Sequence, residues 1–146
     1  MRDTVTFDDV LLVPQYSEIV SRKSISIESS LDAKLSFELP VVSSPMDTIT
    51  DSHMAAAMYE GGGLGIIHRY NSIEEQCKHI ESLPHGCIVG AAIGVTGDYL
   101  ERSKELVMAG ANVLCIDVAH GHHALTRHAL KTLRNTVGYD IHIMAG

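Results

Sequence analysis

The chain alternates between two hydrophobic rhythms. Short runs that are almost continuously apolar, "LPVVSS", "GLGII", "CIVGAAI", "NVLCIDV" and "IHIMA", are separated by longer segments in which apolar residues recur every three or four positions. The first rhythm predicts five strands buried on both faces, and the second predicts four amphipathic helices between them. An irregular arm, "TFDDVLLVPQYSEIVSRKSISIESSL", precedes this series. Strand and helix alternate at intervals of roughly 20 to 30 residues, the pattern of consecutive βα units.

Start and stop signals sharpen the prediction. The first helix carries Met54, Ala57 and Met58 at i, i+3, i+4 spacing and ends in "EGGG", where Gly61 is expected to take the left-handed cap conformation. The next two helices open with capping-box spacing. Ser72 stands three residues before Glu75, and Asp98 three before Glu101. No low-complexity segment or Gly/Ser linker interrupts the series, so residues 1–146 are expected to form part of one domain.

Two parallel architectures suit such a pattern, the open doubly wound sheet and the (β/α)8 barrel. A dinucleotide-binding doubly wound fold needs G-x-G-x-x-G after its first strand. The one glycine cluster, "GGGLG", lacks that spacing and precedes its strand, so a helix end and tight turn explain Gly61 to Gly65 better. The expected fold class is therefore α/β, a (β/α)8 TIM barrel of which this chain supplies about the first five strands.

Composition narrows the function. With 146 residues, 45% hydrophobic and 20% charged, the chain has ordinary globular composition, and its net charge of −7 with no basic run disfavours nucleic acid or a lipid surface as partner. "MRDTVTFDDV" has acids where a secretory leader needs a basic start. The longest run of apolar and glycine residues is about half of what spans a bilayer. A cytoplasmic protein acting on a small molecule is expected. Cys77, Cys87 and Cys115 form no CxxC pair and are odd in number, which argues against a disulfide framework.

In a barrel, chemistry gathers where strands end at their carboxyl face. The polar strand ends here are Ser43 to Asp47, His68 to Tyr70, and Asp117 to His123. Alternation puts Val42, Ser44 and Met46 on one side of their segment, and Val113, Cys115 and Asp117 on one side of theirs. If Asp117 looks into the mouth, Cys115 lies deeper as a core thiol. The "HGHH" run contains an H-x-H after a strand, a spacing at which imidazoles and Asp117 could share a zinc or manganese ion, so a metal-dependent hydrolase barrel is the alternative from another class.

Taken in order, "TFDDVLLVPQYSEI", "PVVSSPMDTIT", "GGGLGIIHRYNSIEEQ", "VGAAIG" and "IDVAHGHH" resemble the N-terminal half of the inosine-monophosphate dehydrogenase and guanosine-monophosphate reductase family. The resemblance implies a barrel that binds a purine nucleotide monophosphate and a nicotinamide dinucleotide. It carries substrate contacts to Ser44 and Met46, and cofactor contacts to Asp117, with Ala119, His120, Gly121 and His68 around the same pocket. No metal ligand is implied.

The family's catalytic cysteine lies on a G-S-x-C loop, and its flap arginine lies beyond that. Neither motif is present, so none of the three cysteines is assigned as nucleophile, and the 146-residue chain is expected to be inactive alone. The resemblance also implies NAD, or NADPH for a reductase, a monovalent cation such as K+, and a homotetramer or a complementing C-terminal half. The family's paired CBS module would insert after the second helix, where only "SLPHG" stands. "SSPMDT" favours the dehydrogenase, which would oxidise IMP to XMP. "DVAHG", "HRYNS" and "IMAG" lean to the reductase as the alternative.

Overall fold

The computed structural model describes residues 4–146; Met1 to Asp3, which open the segment weighed above as a leader, lie outside the described residues. Along the arm there is one 3-10 turn, Arg22–Ser24, and a small antiparallel pair, β1 (Ser29–Ser30) with β2 (Ser36–Phe37). Then follow β3 (Val42–Ser43), α1 (Ser52–Glu60), β4 (Leu64–Ile67), α2 (Ile73–Glu81), β5 (Val89–Ile93), α3 (Tyr99–Ala109), β6 (Val113–Ile116), α4 (Ala124–Val137) and β7 (His142–Ala145). β3 to β7 form one parallel sheet in chain order. Sequential parallel order with a helix after each strand is the winding of a TIM barrel, and the described residues supply five of its eight strands.

Each predicted strand is present but shorter, because polar flanks such as Ser44 and Asp117 leave the ladder. β4, β5 and β6 are buried along their whole length. Their side chains divide by alternation into two layers. Ile67, Val89, Ala91, Ile93, Leu114 and Ile116 pack outward with Ala55, Ile80, Leu106, Ala129 and Leu133 of the helices. Leu64, Ile66, Ala92, Val113 and Cys115 face the concave side, where Leu35 and Phe37 of the β1–β2 hairpin cover them. The arm thus contributes a plug that periodicity does not announce, since two-residue strands are too short to show a period.

Four local expectations need correction. The left-handed residue after α1 is Gly62, with φ of 81°, while Gly61 closes the helix in right-handed conformation. The buried face of α1 is Ala55; Met54 stays 38% exposed. Gly65 is the cause, because a Cβ there would fall 2.5 Å from the Ala55 Cα, so helix and strand meet through their two smallest residues. The Ser72–Glu75 capping box forms with both hydrogen bonds, but Asp98 makes no cap bond. Its carboxylate is taken by Arg102, with Oδ2 accepting from Nη2 at 2.8 Å and from Nε at 3.2 Å. Cys87, expected in a strand, sits in the turn before β5, where its N–H donates to Pro84 O.

Candidate active site at the carboxyl ends of the strands

The turn after β3 is built around Thr50, which is fully buried. Its hydroxyl donates to Ser44 O at 2.6 Å and lies 2.9 Å from Ser43 Oγ, while its N–H donates to Met46 O at 3.0 Å. The backbone of 43–50 is thereby folded into a closed loop. Ser44 and Met46 are left at the surface, Met46 with 48% of its area open. Asp51 caps α1, accepting from Met54 N at 3.0 Å. Spacing gave no signal for Thr50, whose partners are six and seven residues back.

At the end of β6 the backbone N–H of Asp117 still donates to Ile93 O at 2.9 Å, after which the chain leaves the sheet. The carboxylate is partly exposed. Arg69, from the end of β4, donates through Nη2 to Asp117 O at 3.0 Å and brings Nε to 3.4 Å from Asp117 Oδ2. The guanidinium also lies 5.4 Å from the Tyr70 ring centre. Sequence reasoning missed Arg69, because the contact spans forty-eight positions and crosses β5.

Ala119 and His120 are exposed and Gly121 is half-buried on the loop that follows. A cavity of about 440 Å³ lies beside them, lined by Gly121, His122, Ala124, Thr126 and Ala145. His120 and His123 face edge to face at 6.4 Å, and His123 Nδ1 accepts from Leu125 N as the cap of α4. Among the described residues, no three His, Cys, Asp or Glu side chains converge to hold a metal ion.

His68 is placed differently from the others. It is buried, its Nδ1 accepts from Tyr70 N at 3.2 Å, and its ring lies 6.2 Å from that of His79, which in turn touches Ser52 Oγ at 3.3 Å. The imidazole therefore packs toward α2 and the Tyr70 ring, and the neighbouring Arg69 is the side chain that reaches Asp117. On the concave face below, burial with a lesser push from the Asp117 charge raises the Cys115 thiol to about 11. Burial likewise raises Cys77 and Cys87. A second cavity, of about 380 Å³ and lined by Phe37, Glu38, Glu60 and Ile88, lies at the amino ends of the strands, away from these groups.

The ends of β3 and β6 thus present two unlike surfaces on one edge of the sheet. One offers a hydroxyl and a thioether; the other offers an oriented carboxylate whose Oδ1 has no hydrogen-bond partner among the described residues. A carboxylate of this kind can accept from a vicinal diol, and a thioether can lie on a flat ring. Those donor and acceptor types fit a ribonucleotide and a ribose-containing dinucleotide.

Comparison with known proteins follows the same line. The sequence profile described as "IMP dehydrogenase / GMP reductase domain" matches residues 4–146. An inosine-5'-monophosphate dehydrogenase of Cryptosporidium parvum is 33% identical, over 94% of this chain and 44% of that protein. A GMP reductase of Leishmania donovani is 42% identical over 54% of this chain and 16% of its own length. Among solved structures, inosine 5' monophosphate dehydrogenase from Legionella pneumophila superposes with a TM-score of 0.87 at 42% identity, over 97% of this chain and 43% of that one. The chain spans less than half the length of the two dehydrogenases.

Proposed function

This chain belongs to the IMP dehydrogenase / GMP reductase family, and from that premise we propose that it forms the first five strands of the catalytic barrel of an IMP dehydrogenase, which oxidises IMP to XMP with NAD. The observation that carries the reading is the pairing of the Ser44–Met46 turn with the Asp117 carboxylate on one end of the same parallel sheet. Similarity to the dehydrogenases runs over 94% and 97% of this chain and that to the reductase over 54%, which supports the dehydrogenase over the reductase.

In this reading Ser44 offers its hydroxyl to a ribose or phosphate oxygen, and Met46 lays its thioether along the purine. Thr50 holds both in place by locking the backbone between them. Asp117 accepts from the hydroxyls of the nicotinamide ribose, and Ala119, His120 and Gly121 shape the wall beside it. His68, carried to the same pocket by the family resemblance, packs beside Tyr70 and His79 and is left out of this wall. A bound nicotinamide dinucleotide supplies the acceptor for the hydride leaving purine C2. No cysteine described here is placed to attack that carbon, and Cys115 is held protonated at neutral pH on the barrel's inner face. NAD in preference to NADPH, a K+ requirement and a homotetramer belong to the same proposal. The described residues contain no helix long and apolar enough to cross a membrane.

The test is an assay of the full-length protein. NADH should appear with IMP and NAD. Consumption of NADPH with GMP, and no forward reaction, would assign the reductase instead.

A further inference from the structure

Arg69 starts at the end of β4 and ends at β6, so its side chain crosses the carboxyl end of β5. Its path lies over Gly94, where a Cβ would sit 3.8 Å from Arg69 Nη1, in ordinary van der Waals contact. Two different groups of one residue receive it. Asp117 O, at the point where the chain leaves the sheet, accepts from Nη2 at 3.0 Å, and Asp117 Oδ2 faces Nε at 3.4 Å. The Nε atom is buried and has no hydrogen bond, so the second contact is an ion pair across a short gap. Tyr70 backs the guanidinium at 5.4 Å.

We propose that Arg69 is the positioning residue for Asp117, locking its backbone and turning Oδ1 toward the mouth to receive the cofactor ribose. The inference rests on the reading of Asp117 as a cofactor residue. The physical basis is the planar fork. A guanidinium can hold a carbonyl and a carboxylate of one residue at once, whereas an ammonium is a single point charge that must choose between them. With Oδ2 committed to Arg69, rotation about the Asp117 side chain is restricted and the ordering cost is met before the ligand arrives. Arg69 itself need touch neither ligand.

The experiment uses the full-length protein and measures NADH binding by fluorescence and IMP binding by calorimetry. Both are read for wild type, Arg69→Ala, Arg69→Lys, Asp117→Ala and the Arg69→Ala/Asp117→Ala pair. Arg69→Ala should weaken NADH binding about tenfold and leave IMP binding within about twofold. Arg69→Lys should not restore it. The double variant should bind NADH no more weakly than Asp117→Ala alone, because Arg69 acts through that side chain. Added guanidinium ion should recover part of the NADH affinity of Arg69→Ala and none of the double variant's.

Additive losses in the pair, equal losses of both ligands, or wild-type NADH affinity in Arg69→Ala would each overturn the proposal. If Arg69→Ala fails to fold, Arg69→Lys decides alone, and wild-type NADH affinity in it is the overturning result. Should Asp117→Ala itself bind NADH normally, the assignment of Asp117 to the cofactor falls and this inference falls with it. Normal binding in the Arg69 variants beside a defective Asp117→Ala removes the inference only.

Discussion

Arg102 of α3 donates through Nη1 to Gln76 Oε1 of α2 at 2.7 Å, in a setting where Gln76 is fully buried. The other end of the amide donates to Ala92 O at 2.9 Å and lies 3.4 Å from Ile67 O, while Arg102 Nη2 donates to Asn71 O at 3.1 Å and to Asp98. One polar relay therefore ties β4 and β5 to the loops above them, including the loop that carries Arg69. Gln76→Leu leaves the guanidinium with a missing acceptor in a nearly dry site and should destabilise the fold by about 2 to 4 kcal/mol. Adding Arg102→Met should recover part of that loss, because the stranded charge goes as well. Urea titrations in which the two losses simply add would refute the relay.

Thr50→Val keeps the shape of a buried side chain but removes the donor to Ser44 O. The expected cost is about 1 to 2 kcal/mol of stability. Because the lost bond closes the 43–50 turn, the functional effect should fall on the nucleotide side. The KM for IMP should rise while NADH affinity stays within about twofold. A KM unchanged from wild type would separate the turn from nucleotide binding.

Much of this arrangement was readable from the chain, and the parts that were not share a cause. Five apolar runs gave five strands, and the signal is cleanest for β4, β5 and β6, where burial on both faces leaves no polar alternation to confuse the pattern; β3 and β7 are only partly buried. Ser72 and Glu75 gave their capping box because both partners lie within one turn. Asp98 shows the same three-residue spacing to Glu101, yet Arg102 sits one residue further on and offers a charged partner, which outcompetes a backbone N–H. The α1 face was misread because burial there is decided by Gly65 on the neighbouring strand, not by the helix's own stripe. Arg69 and Thr50 escaped for the same reason. The partner of Arg69 is fixed by the sheet order, and those of Thr50 by an irregular turn with no period, neither of which local spacing encodes.

Gly121 was assigned to the cofactor loop from sequence, and the structure adds a steric demand. A Cβ on Gly121 would overlap the carbonyl oxygen of Gly146 at the end of β7. Gly121→Ala must therefore push 118–123 away from that strand end, at a cost of about 1 to 3 kcal/mol for an overpacked contact. NADH affinity should fall more than IMP affinity in a side-by-side titration. Equal effects on both ligands would point to general unfolding of the mouth instead.

The three thiols should differ little in kind and clearly in rate. All are raised by burial, and Cys115 stands at about 11, so its thiolate fraction at pH 8 is on the order of one in a thousand. Under native conditions an alkylating reagent should modify Cys77 and Cys87 first and leave Cys115 untouched until the fold opens. Rapid modification of Cys115 at pH 8, located by peptide mass mapping, would show that the inner face of β6 is more open than the packing of Ile66, Ala92 and Val113 implies.

Acid stability should depend on the cap of α1. Asp51 is held below the usual carboxylate range first by the N–H of Met54, against the opposing effect of burial, with further lowering from His53. A carboxylate depressed in the folded state contributes stability that is complete above its unfolded value of about 3.9 and is lost as pH falls through the folded value. No change from this group is expected between pH 7 and about pH 5, and a decline is expected below about pH 4. The side chain is 45% exposed, so solvent screening keeps the effect modest. Asp51→Asn separates charge from capping, since asparagine caps a helix about as well as aspartate. The variant should match wild type within a few tenths of a kcal/mol, about 0.5 at most, at pH 7, and lose less stability between pH 5 and pH 3. Asp51→Ala should be weaker at every pH by about 0.5 to 2 kcal/mol. Parallel acid declines for wild type and Asp51→Asn, in urea titrations across that range, would show that the cap carboxylate does not set the acid limit.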